Sequence, residues 1–264
     1  MSTSTDSSTA VLIERLPDHV VLVTINRPEA RNAVNGEVAR GLQAAIDETE
    51  ADEQAWVMIL TGTGSEAFCA GADLKAVSSG RGAELSTPRG GFAGFVHATR
   101  SKPWIAAVNG PALAGGCELA LACDLVVAAT SARFGLPEVK RGLVASAGGL
   151  YRLPRALPSA LALEMILTGE PISAERAHQS GMVNQLVAAD DLLSTARALA
   201  SRITVNAPVA VRQSLGVARR ALDGTDAELR ALSSSAQHAV MASEDFKEGP
   251  LAFIEKRTPR WTGR

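Results

Sequence analysis

WIAAVNGPALAGGCELALACD, residues 104–124, is the stretch on which the reading of this chain turns. Trp104 to Val108 form an apolar run short enough for one buried strand, and Asn109, Gly110 and Pro111 stop it. Ala112 to Gly116 are almost bare backbone, and the Ala- and Leu-rich segment behind them reads as a helix. A helix opening at Gly115-Gly116 leaves its first amides without partners inside the helix, backed by the positive end of the helix dipole. Such a place holds an anion. Glu118 falls in the first turn among Leu and Ala, where it either complements the dipole or works as an acid.

Upstream, Val11 to Leu16 and Val20 to Asn26 read as a hairpin turned at Pro17-Asp18. The segment 27–33 ends that second strand and leads into a helix from about Gly36 to Asp52, with Val38, Leu42, Ala45, Ile46 and Thr49 at helical spacing. Trp56 to Leu60 reads as a buried strand, and FCAGADL, residues 68–74, as a second small-residue loop presenting backbone after a strand. The Gly-, Ser- and Pro-rich stretch 78–94 is expected as a mobile loop rather than a packed element.

Downstream, Asp124 to Ala129 is a further short strand, Ser131 to Gly135 a turn, and Pro137 a first helical residue with Glu138 behind it. Gly148-Gly149 opens a helix near Leu150 to Leu157. After Pro158 the character is helical: Ser159–Leu167, Ser173–Gln179, Asp190–Ile203, Pro208–Leu222, Asp226–Met241 and a short amphipathic segment, Glu244–Lys256, interrupted only by a strand at Val183–Val187.

A chain of 264 residues buries a substantial core as one large domain or a domain with an appendage. A net charge of -2 argues against a dedicated nucleic-acid surface, and there is no basic stripe with interleaved aromatics. No apolar run is long enough to span a bilayer, and the polar start lacks the features of a secretion signal, so residues 1–10 are expected as a disordered tail. Cys69, Cys117 and Cys123 are odd in number, without C-x-x-C spacing, and read as reduced thiols in a cytoplasmic protein. The four histidines are scattered without ligand spacing, so no metal is expected.

Residues 102–124, together with FCAGADL at 68–74, FGLPEVKRGL at 134–143, INRPEARNAV at 25–34 and SEDFKEGPLAFIEKR at 243–257, resemble the enoyl-CoA hydratase/isomerase, or crotonase, family in order and spacing. The resemblance implies an α/β spiral of β-β-α turns over residues 11–195 and a C-terminal helical region, 196–264, that assembles trimers, often paired into hexamers. It implies acyl-CoA thioester chemistry through an enolate, with coenzyme A carried by the substrate and no other cofactor. By matching position, the amides of Ala72 and Gly115 form an oxyanion hole, and Glu118 and Glu138 are the two carboxylates of a hydratase. Ala30, Ala33, Ala70, Asp73, Leu74, Lys75, Ser146, Phe253 and Lys256 fall at substrate-binding positions, Lys75 near the CoA phosphates and Phe253 and Lys256 toward the CoA of a neighbouring subunit.

The chemistry fits those residue types. Two rigid N–H donors aimed at a thioester oxygen act as charge develops there and lower the barrier, and small residues let the backbone come close. Adding water across a double bond needs a base and an acid, which two glutamates supply when their surroundings set their pKa values apart. One departure stands out: Ala145-Ser146 occupy the place where hydratases carry Pro-Gly, and the amide at position 146 is the one expected to help position water. The expectation is an enoyl-CoA hydratase. Isomerase, hydrolase or dehydratase chemistry on the same oxyanion hole, and a non-catalytic acyl-CoA-binding protein, are the alternatives.

Overall fold

The computed structural model describes residues 9–264. The chain enters through the expected hairpin, β1 (Val11–Arg15) antiparallel to β2 (Val20–Ile25), with Val11 opposite Ile25. Asp18 and His19 turn it with φ of 60° and 63°, the left-handed pair whose twist matches the strands. α1 (Gly36–Ala51) is capped by Asn35, whose side chain accepts the Val38 amide. Its other end is closed by buried Lys102, whose Nζ donates to the carbonyls of Thr49 and Asp52 at 2.5 and 2.8 Å, a cation at the negative end of the dipole.

β3 (Val57–Gly62), the short helix α2 (Leu74–Ala76), the small hairpin of β4 (Ser86–Thr87) and β5 (Gly91–Phe92), and β6 (Trp104–Val108) come next. They lead to β7 (Ala112–Leu113), α3 (Gly115–Ala122), β8 (Leu125–Ala129) and β9 (Arg133–Gly135). α4 (Gly149–Ala156), α5 (Ser159–Thr168), β10 (Ile172–Ser173), α6 (Ala174–Gln179), β11 (Gln185–Val187) and α7 (Leu192–Thr204) follow. α8 (Pro208–Ala218), α9 (Asp226–Met241) and α10 (Asp245–Glu255) end the chain.

Six strands make the main sheet in the order β1-β2-β3-β6-β8-β11, parallel from β2 onward. Met58, Leu60, Trp104, Ala106 and Val108 face the larger core with α1, while Val57, Ile59, Ile105, Ala107 and Val127 face Leu192, Ala196 and Ala200 of α7. Burial on both faces is why these strands read as unbroken apolar runs. The expected 195/196 division falls inside α7, which covers one face of the sheet.

A second ladder of very short segments runs beside the main sheet. Val34 bridges Ala72, Cys69 bridges Ala112, and β7 pairs in parallel with β9, which pairs with β10. Successive turns of the chain thus give one long strand to the main sheet and one short one to this ladder before the next helix. The ladder stacks the small-residue loops 69–72 and 112–116 side by side.

Two expectations are corrected here. Ser131–Gly135, read as a turn, contains β9, because Phe134 and Gly135 complete the second ladder. The stretch 78–94, read as mobile, folds into short helical turns and the β4–β5 hairpin, and its second half packs on α1. Leu85 and Ala93 are buried there, Thr87 Oγ1 donates to Gln43, and Arg89 pairs with Asp47. Glycines make this fit possible: a β-carbon on Gly94 would stand 2.1 Å from the Ala39 carbonyl oxygen. Of the tail expected over residues 1–10, residues 1–8 lie outside the described residues; Thr9 and Ala10 are tied to Asn26 by their carbonyls.

Candidate active site

The second ladder brings Ala72 and Gly115 together. Gly71, with φ of 91°, lies so close to the start of α3 that a β-carbon on it would stand 3.0 Å from the Gly115 nitrogen and 2.9 Å from the Ala114 β-carbon. Gly116 is tighter still: its β-carbon would fall 1.9 Å from the Cys69 carbonyl oxygen. Val34 takes up the carbonyl of Gly71 and the amide of Asp73, which leaves the intervening Ala72 amide facing away from it. Among the described residues neither the Ala72 nor the Gly115 amide has a hydrogen-bond acceptor. Ala114, immediately before them, is held at φ 52° and ψ -128°, a conformation that costs a non-glycine residue on the order of 1–3 kcal/mol. Its own amide and carbonyl are pinned, to the Gly135 carbonyl and the Cys117 and Glu118 amides, so the strained geometry fixes where the Gly115 N–H points.

The loops are held from below by residues the sequence did not single out. Asn32, fully buried, donates from Nδ2 to the carbonyls of Thr63 and Ala67 at 3.0 and 2.8 Å and accepts the Arg27 amide. Arg27 donates to the Ala33 carbonyl at 2.7 Å and pairs with Asp73 at 3.0 Å, clamping segment 27–33 to loop 70–73. Ala30 and Ala33 flank this clamp, and the Ala70 amide donates to Arg31. Burial pushes the Asp73 carboxyl up, but the Arg27 guanidinium and the Lys75 and Ala76 amides outweigh it, and its pKa lies below the ordinary carboxylate value. Asp73 therefore caps α2 and orders its loop. Leu74 and Lys75 are exposed beyond it.

Glu118 is 3% exposed, and its Oε1 accepts the Gly149 amide at 2.9 Å. Burial raises its pKa from the usual 4.5 to about 7; the Gly149 amide opposes the shift and the nearby charge of Glu138 adds to it. Glu138 rides on the 3-10 turn Pro137–Arg141 directly after β9, half-buried, and burial raises its pKa too. Its Oε2 is buried with no hydrogen-bond partner among the described residues. One carboxyl is thus held by the protein and the other keeps a buried oxygen without a partner. The Cys117 thiol is raised first by burial and further by the charges of Glu118 and Glu138.

The water-positioning role expected of the Ser146 amide meets a competing bond: that amide donates to the Val144 carbonyl at 2.9 Å, and Ser146 is exposed. The amide that hydrogen-bonds the Glu118 carboxyl is that of Gly149, and the Gly148-Gly149 pair was its only signal. Phe253, 86% exposed, and Lys256 lie on the outside of α10, which packs against α9; one chain leaves them apart from the cluster. Among the described residues no group of three His, Cys, Asp or Glu side chains is placed to hold a metal, and no helix is long and apolar enough to cross a membrane.

The raised pKa of Glu118 has a stability consequence. The folded state binds this proton more tightly than the unfolded chain, so folding is favoured by it at low pH and the contribution is lost as pH rises from about 4.5 to about 7. Glu118→Gln is expected to melt with the wild type at pH 4.5 and several degrees above it at pH 8, measured by calorimetry. A gap that stays constant across that window would contradict a buried, proton-binding carboxyl.

Comparison with known proteins points to one family. The model of the Enoyl-CoA hydratase/isomerase family matches residues 15–264. A probable enoyl-CoA hydratase of Mycobacterium tuberculosis (strain CDC 1551 / Oshkosh) is 41% identical over 256 residues, covering 96% of this chain and 98% of that protein. A carnitinyl-CoA dehydratase of Salmonella arizonae (strain ATCC BAA-731 / CDC346-86 / RSK2980) is likewise 41% identical, over 92% of this chain and 95% of its own. The crystal structure of an enoyl-CoA hydratase from Mycobacterium tuberculosis H37Rv matches with a TM-score of 0.93 at 47% identity, over 97% of this chain and all of the other.

Proposed function

Because this chain belongs to the enoyl-CoA hydratase/isomerase family, we propose that it adds water across the 2,3-double bond of a 2-enoyl-CoA thioester. The observation that carries the reading is the pair of unpartnered amides, Ala72 and Gly115, brought together beside one buried and one half-buried carboxyl, both of raised pKa. In this mechanism the thioester oxygen accepts both amides. Water's oxygen bonds to C3 as Glu118 takes a water proton, the π electrons move onto the thioester oxygen, and Glu138 then gives a proton to C2 as the enolate collapses. Glu118, held by Gly149, orients the water, and Glu138, with its free Oε2, serves the carbon. The pair works with one proton between its two members, which like charges in a buried site favour.

The test is crotonyl-CoA with the purified protein, following loss of the enoyl chromophore and gain of one water by mass spectrometry. Turnover in the ordinary enzymatic range of about 1–10³ s⁻¹ is expected. Tight binding of CoA thioesters without water addition to crotonyl-CoA or longer enoyl-CoA esters would sink the reading and leave a binding protein.

A second reading, removal of water from a carnitinyl-CoA, is favoured by the similarity to a protein of that name, and the same two carboxyls would serve elimination. The rim of the site offers a cationic acyl group little. Tyr151, next to Gly148-Gly149, already carries the Arg152 and Arg155 guanidinium groups 5.1 and 5.7 Å from its ring centre. Preference for carnitinyl-CoA over crotonyl-CoA in a competition assay would reverse this choice.

On this reading no cofactor is needed beyond the coenzyme A of the substrate, so a chelator leaves turnover intact. Assembly into a homotrimer or a dimer of trimers through α8–α10 completes the proposal. A groove of about 680 Å³ between α8 and α9, lined by Val217, Val240, Met241 and Phe246, is the apolar surface it would use, and light scattering counts the chains. Residence in the cytoplasm, without membrane or nucleic-acid partners, belongs to the same proposal and is checked by cell fractionation.

A further inference from the structure

Phe92, the last residue of β5, lays its ring against Gly115: a β-carbon at position 115 would stand 2.4 Å from Cε1 and 2.6 Å from Cζ of that ring. Gly115 is therefore enclosed, with loop 69–72 on its amide side and Phe92 on its Cα side. The residues that follow the ring in the chain reach toward the Glu118 side. His97, against which Gly91 packs, meets the Tyr151 hydroxyl at 3.4 Å, and that hydroxyl lies 3.1 Å from where a β-carbon of Gly148 would be, beside the Gly149 amide that holds Glu118. Phe92 thus sits beside one of the two unpartnered amides, on a segment whose next contacts lead toward the Gly149 amide.

The segment that carries the ring is anchored. Gly90 donates to Thr87 Oγ1 at 2.9 Å, His97 donates from its backbone to the Gly90 carbonyl at 2.9 Å, and Ala93 and Phe95 behind it are fully buried.

We propose that Phe92 determines acyl specificity by excluding a branch on the carbon next to the thioester carbonyl. This rests on the enoyl-CoA reading above and names the residue that limits its substrate class to unbranched acyl groups. Removing the ring frees space only for a substituent that reaches it, so a straight chain gains nothing from the change.

The experiment is calorimetric binding of butyryl-CoA and 2-methylbutyryl-CoA, two saturated probes that cannot be hydrated, to the wild type, Phe92→Ala and Phe92→Leu, with crotonyl-CoA turnover measured alongside. In Phe92→Ala the affinity ratio is expected to move toward 2-methylbutyryl-CoA by about ten-fold or more, with Phe92→Leu between. A ratio unmoved within about two-fold, or equal weakening of both probes as a merely structural role would give, overturns the proposal. Should Phe92→Ala fail to fold, the leucine variant decides by the same ratio. A wild type that never hydrates crotonyl-CoA while the ratio still shifts would sink the hydratase reading and leave this one standing.

Discussion

Glu138→Gln is expected to lower the hydration rate about 10²- to 10⁴-fold while the fold and the affinity for CoA thioesters persist. Glutamine keeps the size of the side chain and can neither give up nor take a proton in this range. The loss falls on kcat rather than on KM, because the proton passes only as the transition state forms. The native partnerless Oε2 sharpens the expectation: no protein hydrogen bond is broken there by the change, so stability has little reason to fall. Removing the charge at 138 also withdraws one cause of the raised Glu118 pKa, so the pKa of Glu118 is expected to drop in the variant. Steady-state kinetics on crotonyl-CoA with melting curves checks both parts. Undiminished kcat in a folded variant would take Glu138 out of the chemistry.

The long elements of this fold were legible because their patterns are long. β6 and α3 fall where a five-residue apolar run and the Gly115-Gly116 helix start place them, and α9 spans Asp226–Met241 as read. The second ladder was not legible, since β7, β9 and β10 and the bridges at Val34 and Cys69 are too short to carry a period of two. Yet that ladder is what stacks the two small-residue loops. The strained Ala114 has no sequence signature, because alanine marks nothing about φ, and only coordinates expose it. Composition misled at 78–94: Gly94 serves close packing against Ala39 and Gln43 of α1, and Gly90 and Gly91 pack against Gly94 and His97. At Ser146 the residue type left the amide available on paper, and a local turn to Val144 uses it. The family motifs located Glu118 and Glu138 but said nothing of Gly149, whose amide divides their surroundings.

Gly116→Ala carries the other large effect, and its sign runs against helix propensity. In an exposed helix this change stabilises by roughly 0.5–1 kcal/mol, and at Gly216 of α8, where a β-carbon meets nothing within 4 Å, it is expected to be neutral or mildly stabilising. At Gly116 the new carbon would lie 1.9 Å from the carbonyl oxygen of Cys69, a main-chain atom that cannot rotate away. Either α3 or loop 69–72 must retreat, and the same loop presents the Ala72 amide. Parting the two donors forfeits stabilisation that exists only as the enolate charge develops; loss of one such donor costs about 2.7–4 kcal/mol, or 10²- to 10³-fold in kcat. Both variants are assayed well below their melting temperatures, so that the rate reads geometry and not unfolding. If Gly116→Ala turns over crotonyl-CoA like the wild type, the contact between the two loops is not what shapes the oxyanion site, and the pairing of Ala72 with Gly115 loses its physical basis.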